Sequence, residues 1–158
     1  MENKKQLPLR TGVGIVLLNH ENKVFVGKRI DNPKNSWQMP QGGVNGNENF
    51  LQAAKRELEE ETGIKSVKLI KELDGWFKYD LPKYLLGKIW KGKYRGQKQK
   101  WFVMKFLGKN DEINVKTKNP EFLDWKWIKL SKLPEVAVHF KVSIYEKIKR
   151  ELISLHLN

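Results

Sequence analysis

The chain alternates short apolar runs with polar punctuation. Residues 12–18 ("GVGIVLL") and 23–28 ("KVFVGK") are β-branched runs separated by the turn signal "NHEN", and together they predict a hairpin. A loop carrying Pro33 and Asn35 leads to a short run at 36–39, and "QGGVNGN" is expected as a second loop. Across 48–62, Leu51, Ala54 and Leu58 recur at helical spacing, and Gly63 ends the helix. Further strands are expected at 66–76, 101–107 and 123–128, with a turn at Ser131–Pro134. A second amphipathic helix is expected over 139–155, with Val142, Tyr145, Ile148, Leu152 and Leu155 on its apolar stripe. Trp101 and Trp125 are expected in the core. With no internal repeat or long linker, this pattern predicts one layered domain over 1–158 with strands and helices mixed, α/β or α+β in class.

Composition narrows the class. At 158 residues and 39% hydrophobic, with six Trp, the chain can bury a real core and is not a disordered sequence. It has no cysteine, so disulfides and thiolate chemistry are excluded. Lys4 and Lys5 ahead of the apolar run faintly imitate a signal peptide, but the run is short and no small-residue cleavage site follows. No run approaches membrane-spanning length, and a soluble, cytoplasmic protein is expected. The 31 Lys+Arg against 18 Asp+Glu leave a formal net charge of +13, which favours polyanionic partners.

Candidate chemistry begins with four consecutive or near-consecutive acids, "ELEEE" at 57–61, directly after the Gly/Asn-rich loop. At about 100° per residue, Glu57, Glu60 and Glu61 share one sector of the helix, beside the apolar sector of Leu51, Ala54 and Leu58. Arg56 and Glu59 are expected to point elsewhere. Three carboxylates on one ridge repel one another, and hard oxygen ligands of this kind suit Mg²⁺ or Mn²⁺. The bland reading is a solvated helix face.

The residues around the helix decide for the metal. Gly42, then Glu48, then "RELEEETGI" from Arg56 to Ile64 resembles the Nudix box (42–64) at every fixed position, a pattern expected by chance about once in a billion positions. The resemblance implies the Nudix fold, an α/β/α sandwich with a mixed β-sheet. It also implies the family's reaction, attack of water on a phosphorus of a nucleoside diphosphate linked to another group, assisted by Mg²⁺ with Mn²⁺ as a substitute. Glu57, Glu60 and Glu61 would be metal ligands, with a backbone carbonyl near Gln41 or Gly42 as another. Arg56, counted with the catalytic set, would form a structural ion pair with Glu48. The general base stays open among Glu57, Glu60 and a carboxylate outside the box.

Flanking segments refine the resemblance. "SWQMPQGG", "GQKQKWF", "PEFLDWKWI" and "HFKVSIYEKI" are similar to those of bacterial RNA pyrophosphohydrolases, a group that shades into dinucleoside polyphosphate hydrolases and invasion-associated proteins. By matching position, Glu121 would be an extra metal ligand, and Arg10 and Arg29 would contact phosphates or the first nucleotides, with Lys141 assisting. Phe140 would stack on a base, and Tyr79 and Lys98 would lie by the phosphate chain. Departures from the expected pattern, "RTG" after Arg10, Met39 in "WQMP" and "VNGNE" without a proline, touch loop shape more than chemistry.

Residues 78–101 set eight Lys/Arg against one acid, Asp80, with Tyr79, Tyr84, Trp90 and Tyr94 interleaved. Cations among aromatic platforms suit a single nucleic-acid strand. The expected substrate is therefore the 5′ end of tri- or diphosphorylated RNA, cleaved to a 5′-monophosphate by a monomer. The alternatives are diadenosine polyphosphates cleaved at the same centre, and an idle nucleic-acid-binding module, which would have no use for three clustered carboxylates.

Overall fold

A computed structural model describes residues 6–31 and 36–158; Lys4, Lys5 and the loop residues Pro33 and Asn35 lie outside that range. Its centre is β1 (Leu9–Leu18), whose last seven residues are buried without a break. A continuous apolar run of that kind marks a strand covered on both faces. The predicted hairpin is present: β2 (Val24–Arg29) runs antiparallel to β1 from the pair Leu18–Val24. Its turn is tied by the Asn19 side chain, whose Oδ1 accepts the N–H groups of Glu21 at 3.0 Å and Lys23 at 2.9 Å.

β3 (Trp37–Gln38) pairs with β2, and β4 (Gln41–Gly43) pairs with β1 in the register Gly12–Gly43 to Gly14–Gln41. The "QGG" segment was expected as loop. It is a strand because β1 offers it a free edge, which the glycines' lack of side chains concealed. After α1 (Phe50–Thr62) come β5 (Val67–Glu72) and β6 (Phe77–Asp80), both antiparallel to β7 (Gly96–Phe106). The expected strand 66–76 thus stops at Glu72. β7 begins five residues before the expected 101, and it lies parallel to β1 along the whole of that strand. β8 (Phe122–Ile128) pairs with β2, completing a mixed sheet of eight strands among the described residues.

The expected turn at Ser131–Pro134 is a 3-10 turn (Leu130–Lys132) followed by α2 (Leu133–Val136). The last helix starts later than predicted: His139–Lys141 form a 3-10 turn, and α3 spans Val142–Ser154. One helix covers each face. Ala53, Ala54 and Leu58 of α1 pack on Val13, Ile15, Leu17 and Phe102. Ile144, Tyr145, Ile148 and Leu152 of α3 pack on the other side with Val16, Leu18, Trp101 and Val103. Trp101 is fully buried as expected. Trp125 is only half-buried, stacked on Phe25 at 5.9 Å near the β8 edge. Burying each large side chain of these layers contributes about 1.5–3 kcal/mol. Tyr145 adds a polar tie, its hydroxyl accepting the Met39 N–H at 2.8 Å and so fixing the segment that leads into β4.

Candidate active site

The box residues converge where β4 meets α1. Asn49 caps the helix: its side chain accepts the Gln52 N–H at 2.8 Å, and the Gln52 side chain accepts the Asn49 N–H at 2.9 Å, a complete capping box. Gly63 closes the other end with φ 74, a conformation that favours glycine. The caps therefore fix where the helix begins and ends, while Ala53, Ala54 and Leu58 seat it on the sheet.

Arg56 does not point away from the carboxylate ridge, contrary to the helical-wheel expectation. Its guanidinium spans the site, donating to Glu48 at 2.8 and 2.9 Å, to the Gly43 carbonyl at 2.9 Å, to Glu57 at 2.9 Å and to Glu60 at 3.1 Å. The Glu48–Arg56 pair expected from the resemblance is thus formed. The hydrogen bonds from Arg56 and from the Asn45 backbone hold the Glu48 carboxyl at about 2.

The three ridge carboxylates have different surroundings. Glu60 is largely exposed. Glu57 lies against the sheet where Gly42 leaves room for it; a Cβ at Gly42 would collide with the Glu57 carboxyl group. Burial raises the Glu57 pKa above the ordinary value, against the pull of Arg56. Glu61 is 5% exposed, and its Oε2 has no hydrogen-bond partner. Burial, then the charges of Glu57 and Glu121, push its pKa well up, opposed by the Gln41 N–H that it accepts.

Glu121, sixty residues on in sequence, is brought to this corner by the pairing of β8 with β2, and stands 3.9 Å from Arg29. Among the described residues no three carboxylates already stand at ligand spacing. Glu57 and Glu60 turn towards Arg56. The orphaned Glu61 oxygen, with Glu57 and Glu121 near, nonetheless fits a divalent cation, which would replace the solvation these groups have lost.

Beside the carboxylates opens a cavity of about 560 Å³, lined among others by Arg29, Gln41, Tyr79, Trp90, Phe140 and Lys141. Five of the candidate site residues, Arg29, Gln41, Tyr79, Phe140 and Lys141, thus line one cavity. Arg29 donates twice to Asp31 at 2.7 Å, and these bonds raise its pKa although burial works against them. Lys141 is buried and donates to Gln38 Oε1 at 3.1 Å; burial, with Arg29 nearby, lowers it to about 7. The Tyr79 hydroxyl donates to Gln97 at 2.8 Å, and burial pushes it up to about 12. The Phe140 ring lies 5.8 Å from that of Tyr79, tilted by 38°. Arg10 sits at the rim, its guanidinium 5.2 Å over the Trp90 ring.

Lys98 is not brought into this cavity. It alternates with the buried Gln97 and Gln99 along β7 and so projects to the opposite face, where its Nζ lies 4.8 Å and that of Lys100 4.7 Å from the Trp76 ring centroid. The remaining basic segment also divides. Arg95 pairs with Asp80 at 2.5 Å, while Lys78, Lys83, Lys88, Lys91 and Lys93 are exposed. Sequence reasoning missed Gln38, Gln97 and Gln99, the last donating to Gln41 at 3.1 Å. The alternation in "GQKQK" would have marked them as one face of a strand.

The class of protein follows from comparison. The chain matches the family model described as NUDIX domain over residues 8–148, and it belongs to that family. Nudix hydrolases use divalent metal ions, in keeping with the carboxylate corner. Within the family, the chain is 63% identical over 151 residues to the RNA pyrophosphohydrolase of Pelagibacter ubique, covering 96% of each chain. It is 46% identical over 149 residues to that of Rickettsia bellii, covering 94% of this chain and 92% of the relative. Among solved structures it resembles the E. coli dihydroneopterin triphosphate pyrophosphohydrolase, with TM-score 0.71 at 20% identity over 92% of this chain and 99% of the other. A C. elegans Ap4A hydrolase follows with TM-score 0.63 at 19% identity over 90% and 98%. These structural likenesses concern the fold.

Proposed function

We propose that the protein is a divalent-metal-dependent RNA pyrophosphohydrolase, removing pyrophosphate or phosphate from the 5′ end of tri- or diphosphorylated RNA and leaving a 5′-monophosphate. The observation that carries this reading is the 63% identity, over 96% of both chains, to a protein of that name. The geometry supports it: a cavity with cations and aromatic rings opens beside a corner of carboxylates. The reading takes the chain as one catalytic domain acting as a monomer in the cytoplasm. No helix among the described residues is long and apolar enough to cross a membrane.

Glu57, Glu60, Glu61 and Glu121, with the backbone at Gln41 or Gly42, would hold the metal, Mg²⁺ in preference to Mn²⁺. A bound divalent ion supplies charge neutralisation on phosphate oxygens and a more acidic water. The remaining residues bind and orient. Phe140 offers a ring on which a base stacks, a contact worth about 1–3 kcal/mol. Lys141, near neutrality when buried alone, regains its proton when a phosphate dianion enters. Arg29, already oriented by Asp31, presents its remaining edge to the nucleotide. Arg10 adds positive charge at the rim, and Arg56 keeps the helix and loop in place through Glu48 without touching substrate.

Diadenosine tetraphosphate offers a base and a phosphate chain to the same cavity and is the second reading. Release of labelled pyrophosphate from triphosphorylated RNA, measured beside cleavage of diadenosine tetraphosphate in Mg²⁺, tests both. Cleavage of the dinucleotide alone would sink the RNA reading; cleavage of neither would sink the enzymatic one.

A further inference from the structure

Trp90 has a backbone conformation that bulky side chains rarely adopt. Its φ is 52, and that of Lys91 is 57, two successive non-glycine residues in the left-handed region. The segment around them is closed rather than loose. The Gly92 N–H donates to Ile89 at 2.9 Å and the Lys93 N–H to Trp90 at 3.2 Å, while Leu85, Ile89 and Trp90 pack on the core. Strain of this kind persists only where surrounding contacts impose it, and it concentrates where a side chain must be aimed.

What the turn aims is the indole. One face of Trp90 receives the Arg10 guanidinium at 5.2 Å, and Tyr94 meets the ring edge-on at 6.2 Å. On its other side Arg10 fills the space over Gly43, where a Cβ would come within 2.5 Å of its terminal nitrogen. Among the described residues Arg10 forms no ion pair, although the Glu57 carboxylate already feels its charge. A guanidinium on a flexible stem next to that carboxylate would otherwise be drawn towards it and away from the phosphates. An aromatic face attracts the guanidinium without neutralising it.

We propose that Trp90 is a positioning residue, its indole holding the Arg10 guanidinium away from Glu57 and in place for the substrate's phosphates. This rests on the reading of Arg10 as a phosphate contact. Although Trp90 also borders the cavity, on this proposal it acts through Arg10, and its removal should weaken substrate binding while leaving the chemical step nearly intact.

The test is a double-mutant cycle on the full-length enzyme. Trp90→Leu is expected to raise KM by about fivefold to tenfold with kcat within about twofold, and Trp90→Phe, which keeps a ring face, should recover most of the loss. In an Arg10→Gln background Trp90→Leu should change kcat/KM by less than about twofold. Trp90→Gly relieves the left-handed strain, so it does not depend on the rim tolerating leucine, and it carries the same expectation. An equal loss in both backgrounds, a Phe variant no better than Leu, or a loss confined to kcat overturns the proposal. The cycle is run on whichever of triphosphorylated RNA or diadenosine tetraphosphate the wild type cleaves. Failure on RNA alone then counts against the RNA reading, while the coupling still decides the role of Trp90.

Discussion

Glu61 and Lys141 are both buried, and burial drives each towards its neutral form. Lys141 falls from an ordinary 10.5 to about 7 on folding, so between those values the unfolded chain holds the extra proton. Stability from this residue therefore rises with pH across that window, and the burial penalty is in full force below about pH 7. Lys141→Met should raise the Tm of the metal-free protein most at pH 6, with the gain shrinking towards pH 10. A Tm difference constant with pH would mean that an anion already compensates the ammonium. Glu61→Gln should likewise raise the metal-free Tm, since it replaces a buried carboxyl group one of whose oxygens has no partner, yet abolish most of the Tm increase on adding Mg²⁺. If the Mg²⁺ shift survives, Glu61 is not a ligand. Glu60, largely exposed, can lose its charge without harm to the fold: Glu60→Gln should fold normally and lose at least about a hundredfold in kcat.

At the scale of elements, α1 is held by its ends and by Arg56 rather than by its exposed carboxylates. Arg56 reaches four acceptors that belong to the loop and the helix, and only a planar fork can serve them together. Arg56→Lys should therefore cost about 1–2 kcal/mol in urea unfolding, the value reduced by partial exposure. Asn49→Ala should cost about 1 kcal/mol through loss of the cap. Both effects reach the metal corner, because Arg56 ties the Gly43 carbonyl at the end of β4 and the loop that follows it to the helix. An Arg56→Lys variant with unchanged urea midpoint would reduce the pair to a surface contact.

For the molecule as a whole, the +13 charge is spread unevenly, and the structure sorts the basic segment into paired, packed and exposed members. Arg95 is committed to Asp80, and Lys98 and Lys100 to the Trp76 ring, so exposed lysines are the better probes. Neutralising Lys83, Lys88 and Lys93 together should weaken RNA binding and reduce its salt slope by about 0.7 for each phosphate no longer neutralised. Diadenosine tetraphosphate should be cleaved nearly as before. Equal losses in kcat/KM on both substrates across a salt series would mean that the segment shapes only the general field.

Local patterns in the chain were enough to read the box helix, the hairpin and the buried run of β1. Helical spacing and β-branched runs act over a few residues, and the spacing from Gly42 to Ile64 lies within one contiguous stretch, the end of β4, a loop and α1. Where a segment carries no side-chain alternation, as in "QGG", nothing local announced a strand; in "GQKQK" the alternation is present but polar on both faces, so no apolar run drew attention to it. Those strands exist because β1 offers both edges for pairing. Helical geometry put Glu57, Glu60 and Glu61 on one ridge, but only packing against the sheet made Glu61 buried and left Glu60 in solvent. The meeting of Glu121 with Glu61, the burial of Lys141 beside Gln38, and the pairing of Gln97 rather than Lys98 with Tyr79 depend on the register and packing of elements distant in sequence. Register is set by the summed fit of whole elements, so no single motif in the sequence contains it.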